Sequence, residues 1–114
     1  MESTPASSHT LLLRVNDGTW ESIAIGVSMK VLRSDKESGE SSILLRFEAG
    51  AGFPVHSHPG GEEVYVLEGD MTLGQDELNA GDYLYTSPGG AHAAVSRNGC
   101  LLLVITPQGI EVLK

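Results

Sequence analysis

The 114-residue, 12.1 kDa chain has the size of a single domain with one core. Its 14 glycines and 40% apolar residues describe a core-forming but turn-rich sequence, which favours many short strands over long helices. A net charge of −8, with seven basic residues scattered singly, excludes the basic stripe of a nucleic-acid binder and a patch that docks on anionic lipid.

The predicted elements, in chain order, begin after a flexible tail over residues 1–9, and a single barrel is expected over 10–114. Residues 11–15 form an apolar strand closed by the turn signal Asn16-Asp17-Gly18. Strands follow over 20–25 and 27–32, with Gly26 between them, and the polar stretch 34–42 is an exposed loop. In residues 43–47, Ile43, Leu45 and Phe47 take one face and Leu44 and Arg46 the other. A strand over 64–68 turns at Gly69-Asp70 into 71–73, with the look of a hairpin. Short strands then cover 76–78, 82–86, 92–95 and 101–106, and 110–113 supplies one more edge strand. No segment carries a sustained 3.6-residue period, so the pattern is an all-β barrel or sandwich.

The lone Cys100 excludes an intramolecular disulfide and a cysteine-rich zinc module, and it reads as a small buried hydrophobe. The longest apolar run, residues 101–105, is too short to span a bilayer. The first ten residues lack the basic and apolar regions of a signal peptide, so no membrane association and a cytoplasmic setting are expected.

Chemistry concentrates in two segments. In residues 50–69, His56 and His58 stand two apart, a spacing that puts both imidazoles on one face of a strand. The turn Pro59-Gly60-Gly61 then reverses the chain, and Glu62 or Glu63 brings a carboxylate beside the rings. Periodicity admits either: Glu62 inward takes Val64 and Val66 with it, Glu63 inward takes Tyr65 and Leu67. In residues 81–92, a second Pro-Gly-Gly leads to a third histidine, His92. Three imidazoles and a carboxylate make a mixed nitrogen and oxygen site for a divalent first-row metal, against the plain alternative of histidines that only hydrogen-bond inside a metal-free barrel.

These segments resemble the paired motifs of the cupin superfamily. Gly50, His56, His58, Glu62 and Gly69 match the first motif at every position. Gly81, Gly89 and His92 keep the spacing of the second, while Pro88 sits one residue late and Ser96 stands where an Asn is expected. The Trp20 region, Phe53-Pro54, the two Pro-Gly-Gly turns and the segment Val66-Leu67-Glu68-Gly69 are similar, more closely, to the cupin-like domain of ChrR-type anti-sigma factors. The resemblance implies a cupin (RmlC-like) double-stranded β-helix, or jelly-roll barrel. It also implies one divalent metal ion (Zn, Fe, Ni or Mn) on His56, His58, Glu62 and His92. The family spacing selects Glu62 over Glu63. Such anti-sigma factors also carry an N-terminal helical domain that grips the sigma factor. With nine residues ahead of the first predicted strand, that partner is not carried over.

A six-coordinate ion on these ligands keeps two positions open, as a dioxygenase of a dicarbonyl or phenolic compound needs. A four-coordinate zinc closes the site and makes a sensor or ligand-binding module. No cation stands beside the motif to hold a substrate carboxylate, and the apolar strands with Phe53 suggest a small, largely apolar ligand. Phe53, Tyr65 and Tyr83 are the aromatic candidates for its pocket, Phe53 foremost because it lies close to His56. Exposed barrel edges point to a homodimer, through residues 11–25 or the C-terminal strand.

Overall fold

Residues 5–6, 9–107 and 111–112 are described by a computed structural model, with side chains from 9 to 107. The strands are β1 (Pro5–Ala6), β2 (Thr10–Leu11), β3 (Glu21–Ala24), β4 (Val27–Ser34), β5 (Ser41–Phe47) and β6 (Gly52–Ser57), then β7 (Glu62–Leu73), β8 (Asp76–Asn79), β9 (Tyr83–Thr86), β10 (Ala91–Val95), β11 (Cys100–Thr106) and β12 (Glu111–Val112). No helix forms among the described residues, and none is therefore long and apolar enough to cross a membrane. Most of the predicted tail lies outside the described residues, but β1 pairs with β2 in a two-stranded ribbon.

The remaining strands form one antiparallel sheet in the order β12-β6-β10-β7-β11-β5-β4-β3, with β8 and β9 also paired to β7. β7 joins the two halves of this jelly roll. Its first part lies between β9 and β11, and its last residues pair with β8 and β10. The strand changes partners at Gly69, where the predicted hairpin is absent and 62–73 run as one bent strand. Glycine at positive φ serves a bulge as well as a turn, and here it serves a bulge. Leu101 pairs with Glu68 but Leu102 pairs with Val66, so Leu67 is the extra residue. Gly69 has φ +81°, and a Cβ there would run into the Gly99 carbonyl oxygen. The hairpin lies further on, where Gly74-Gln75 links β7 to β8 and Leu73 faces Asp76.

Asp70 fastens the bend to the loop between β10 and β11. Its Oδ1 accepts the Arg97 N–H at 2.9 Å, and its Oδ2 accepts from the Asn98 side chain at 2.8 Å. Ser96, fully buried in place of the motif's Asn, donates from Oγ to the Asp70 carbonyl at 2.7 Å. The bonds to its carboxylate oxygens, the Asn98 side-chain bond first, hold the Asp70 carboxyl below its ordinary value of 3.8 against the opposing effect of desolvation.

Cross-strand rows fill the interior. Val64, Val104 and Ile43 align across β7, β11 and β5, and below them Val66, Leu102 and Leu45 do the same. Val64, Val66, Leu102, Val104 and Met71 are buried, each contributing on the order of 1.5–3 kcal/mol of transfer free energy. The predicted strand over 11–15 is largely irregular beyond Leu11. Asp17 is buried there and accepts the Arg14 N–H at 2.9 Å, and the buried Lys30 donates from Nζ to the Val15 carbonyl at 2.9 Å. Satisfying the Lys30 ammonium in this way takes the segment off any strand ladder. Trp20 closes this corner against the Arg46 guanidinium, 4.6 Å from the ring centroid.

Candidate metal centre and cavity

The two glycine-rich turns assemble the site by bonding to each other. The His58 carbonyl accepts Gly61 N–H at 3.0 Å and Gly89 N–H at 2.9 Å, while the His58 N–H donates to the Gly90 carbonyl at 3.1 Å. Gly61, at φ +90°, has the Thr86 carbonyl oxygen 3.0 Å from where a Cβ would stand, so only glycine lets β9 approach. On one side of this lock β6 carries His56, on the other β10 carries His92, and the two residues face each other in register. The reversal at 59–61 places Glu62 at the first position of β7, opposite Thr86.

Four side chains from distant parts of the sequence thus converge. One ligand-type atom from each of His56, His58, Glu62 and His92 lies within 4.8 Å of all the others. His58 Nε2 is 3.3 Å from His92 Nε2 and 3.2 Å from Glu62 Oε1, and His92 Nε2 is 3.4 Å from the same oxygen. His56, His58 and Glu62 are buried, and the His92 side chain is 10% exposed. Burial, followed by the neighbouring His56 and His92, lowers the His58 pKa below its ordinary 6.5 against the pull of Glu62. That ring stays neutral with a lone pair to give. His56 donates from Nδ1 to the Pro54 carbonyl at 2.8 Å, which fixes the tautomer and leaves Nε2 as its lone-pair atom. His58 Nδ1 is buried without a hydrogen-bond partner.

The donor set fits a divalent cation. Donors bound at about 2.1 Å in a tetrahedral or octahedral shell lie roughly 3–4 Å from one another, and the contacts among His58, His92 and Glu62 fall in that range. A cation at their centre would be bound by all three of these atoms at once. Three imidazoles and a carboxylate suit zinc and the redox-active first-row ions alike.

The cluster is one end of a cavity of about 220 Å³ running through the barrel interior. His56, Glu62 and His92 line it, and the walls are Phe47, Phe53, Leu45, Val64 and Leu102 with their neighbours. No Lys, Arg or acid other than Glu62 lines it among the described residues. Phe53 meets the His56 ring edge-on, with centroids 5.3 Å apart, and forms part of the cavity wall.

Tyr65 and Tyr83 do not line the cavity. They face each other across β7 and β9 on the outer surface, 41% and 55% exposed. The cause is the two-residue period: with Glu62 inward, Val64 and Val66 follow it and Tyr65 must point out. Glu63 points out as well and accepts a 2.8 Å hydrogen bond from the Tyr83 hydroxyl, which raises the Tyr83 pKa. Cys100 is buried in the core, and burial raises its thiol pKa. Sequence reasoning missed Pro54, whose carbonyl orients His56. It also missed a row of hydroxyls on the cavity wall, because neither leaves a side-chain signature near the motifs.

The ChrR cupin-like domain family matches residues 8–108. A curated relative, the DNA damage-repair/toleration protein DRT102 of Arabidopsis thaliana, is 30% identical over 97 residues, which are 80% of this chain and 30% of the plant protein. The chain therefore spans under a third of that relative. Among solved structures, the complex of Rhodobacter sphaeroides SigE with the anti-sigma ChrR is matched at 28% identity and a TM-score of 0.71, over 82% of this chain and 50% of that one. A putative acetylacetone dioxygenase from Methylibium petroleiphilum is matched over 100% of this chain and 85% of that one, with a TM-score of 0.84 and 19% identity, a likeness of fold. The barrel is a cupin, and the chain belongs to the ChrR cupin-like domain family.

Proposed function

We propose that the chain is a metal-dependent cupin enzyme of the dioxygenase type, holding one divalent ion on His56, His58, Glu62 and His92 and acting on a small dicarbonyl or phenolic compound. The observation that carries this reading is the cavity: the ligand cluster opens onto an apolar chamber of about 220 Å³ instead of being sealed in the core. A closed structural site has no use for such a chamber. The metal would be zinc, iron, nickel or manganese, the last three being able to react with dioxygen.

When bound, the metal supplies Lewis acidity toward an enolate or phenolate and, if redox-active, a path for electrons between that ligand and dioxygen. The chain's own residues do the rest. His56, oriented by the Pro54 carbonyl, presents a fixed lone pair, and His58 adds a second imidazole from the barrel interior. Glu62 adds a carboxylate, so the ion keeps about one net positive charge with which to favour an anionic oxygen. Phe53 and the aliphatic walls offer an apolar seat for the carbon skeleton. For a β-dicarbonyl, cleavage of one carbon–carbon bond puts one oxygen atom of dioxygen on each fragment. A carboxylic acid and a 1,2-dicarbonyl leave, and no external reductant is consumed.

A second reading has its own support. The family match and the 28% identity to the ChrR chain favour a zinc-binding sensor or ligand-binding module without turnover. Metal analysis combined with oxygen uptake separates the two. Protein loaded with iron, nickel or manganese consumes oxygen on a β-diketone if the enzyme reading holds. Tight, stoichiometric zinc together with no uptake on any of the three ions overturns it in favour of the sensor.

A further inference from the structure

The cavity has a second polar feature besides the metal cluster. Thr106 on β11 faces Ser41 on β5, and Ser41 faces Ser34 on β4, so three hydroxyl side chains form one row across three strands. All three line the cavity. Register ties this row to Glu62. Ile105 pairs with Glu63, so Thr106 occupies the next position along, beside Glu62. At the ordinary strand spacing of about 4.8 Å, Thr106 and Ser41 stand roughly 5 and 10 Å across the sheet from the strand that carries Glu62. The rows behind are apolar, beginning with Val64, Val104, Ile43 and Val31.

Thr106 Oγ1 and Ser41 Oγ lie 2.9 Å apart, and Thr106 is buried. One hydroxyl donates to the other, so one hydrogen and spare lone pairs remain between them to face a ligand. None of these groups is charged, and no cation supports them from the cavity wall among the described residues.

We propose that the Thr106–Ser41–Ser34 row is a second ligand subsite. It selects an uncharged, mainly apolar molecule that bears one oxygen function for the metal cluster and a second neutral hydrogen-bonding group about two strands away. This rests on the metal-dependent reading above and adds the substrate class to it. A simple aliphatic diketone uses only the first point, whereas an aryl diketone or phenol with a distal hydroxyl uses both. Carboxylates and phosphates are disfavoured, because the row offers them no compensating charge.

The test uses anaerobic calorimetric titration of the nickel-loaded chain, where a six-coordinate ion keeps positions open and the absence of dioxygen permits binding without turnover. The probes are 1-phenylbutane-1,3-dione and its para-hydroxyphenyl analogue. The hydroxylated probe binds wild type roughly fivefold more tightly, the worth of one neutral hydrogen bond. In the double variant Ser41→Ala/Thr106→Val that advantage falls to about unity while the parent diketone keeps its affinity. If the double variant does not fold, Ser41→Ala alone shrinks the same ratio. An advantage that is absent in wild type, or that survives the substitutions, overturns the subsite while leaving diketone binding intact. Failure of both probes to bind nickel-loaded wild type overturns the diketone reading itself and the subsite with it.

Discussion

His56 and His92 stand directly opposite each other in the β6–β10 ladder, although 35 intervening residues separate them in the chain. Their rings lie 5.0 Å apart, centroid to centroid, with His58 4.7 Å from one and 4.9 Å from the other. Backbone register, which is expensive to change, therefore sets the spacing of the imidazoles.

Removal of one of these rings acts on the metal more than on the fold. His92→Ala lowers zinc affinity by more than the roughly 10- to 100-fold that loss of an outer-shell partner costs. Competition with a chelating indicator measures it. Unchanged affinity would place the ion elsewhere.

The two adjacent acids separate cleanly. Glu62 belongs to the cluster, while Glu63 accepts from Tyr83 on the outer face. Glu62→Gln weakens metal binding by about a hundredfold or more, and Glu63→Gln leaves it within about twofold. The same titration run on both variants checks the contrast, and equal losses would contradict the assignment.

Much of this was legible in the sequence, for a physical reason. The His-x-His pair, the reversing turn and the later histidine are local patterns, and the alternation of Ile43, Leu45 and Phe47 names its own inner face. The bend at Gly69 was not legible, because a positive-φ glycine before an Asp signals a turn whether or not the ladder continues. The outward placement of Tyr65 and Tyr83 waits on the choice between Glu62 and Glu63, which periodicity alone leaves open. The burial of Lys30 on the Val15 carbonyl leaves no local signal, and the hydroxyl row depends on register between strands distant in sequence.

Gly69 offers a stability test. Gly69→Ala forces a side chain into positive φ and against the Gly99 carbonyl, and costs about 3 kcal/mol. Urea unfolding of the variant measures this. A change below about 0.5 kcal/mol, typical of an inconsequential surface site, would show that the bend tolerates a side chain.

Asp70 makes stability pH-dependent. Its folded pKa lies below the 3.8 of the unfolded chain, chiefly through the Asn98 side-chain bond. The unfolded state binds the proton more readily, so the contribution is fully present above 3.8 and is lost as pH falls through the folded value. Wild type is therefore more stable than Asp70→Asn near neutral pH, and the gap closes in acid below 3.8. Paired urea midpoints across that range measure it, and a gap independent of pH would contradict the account.

The central claim is a single ion held by three imidazoles and one carboxylate. X-ray absorption at the metal edge of the zinc-loaded chain, with metal analysis on the same sample, tests it most directly. The account predicts one zinc per chain, with scattering from three imidazole nitrogens and at least one oxygen at about 2.0–2.2 Å. Substoichiometric zinc, a shell without imidazole, or an identical spectrum from His58→Ala would contradict it.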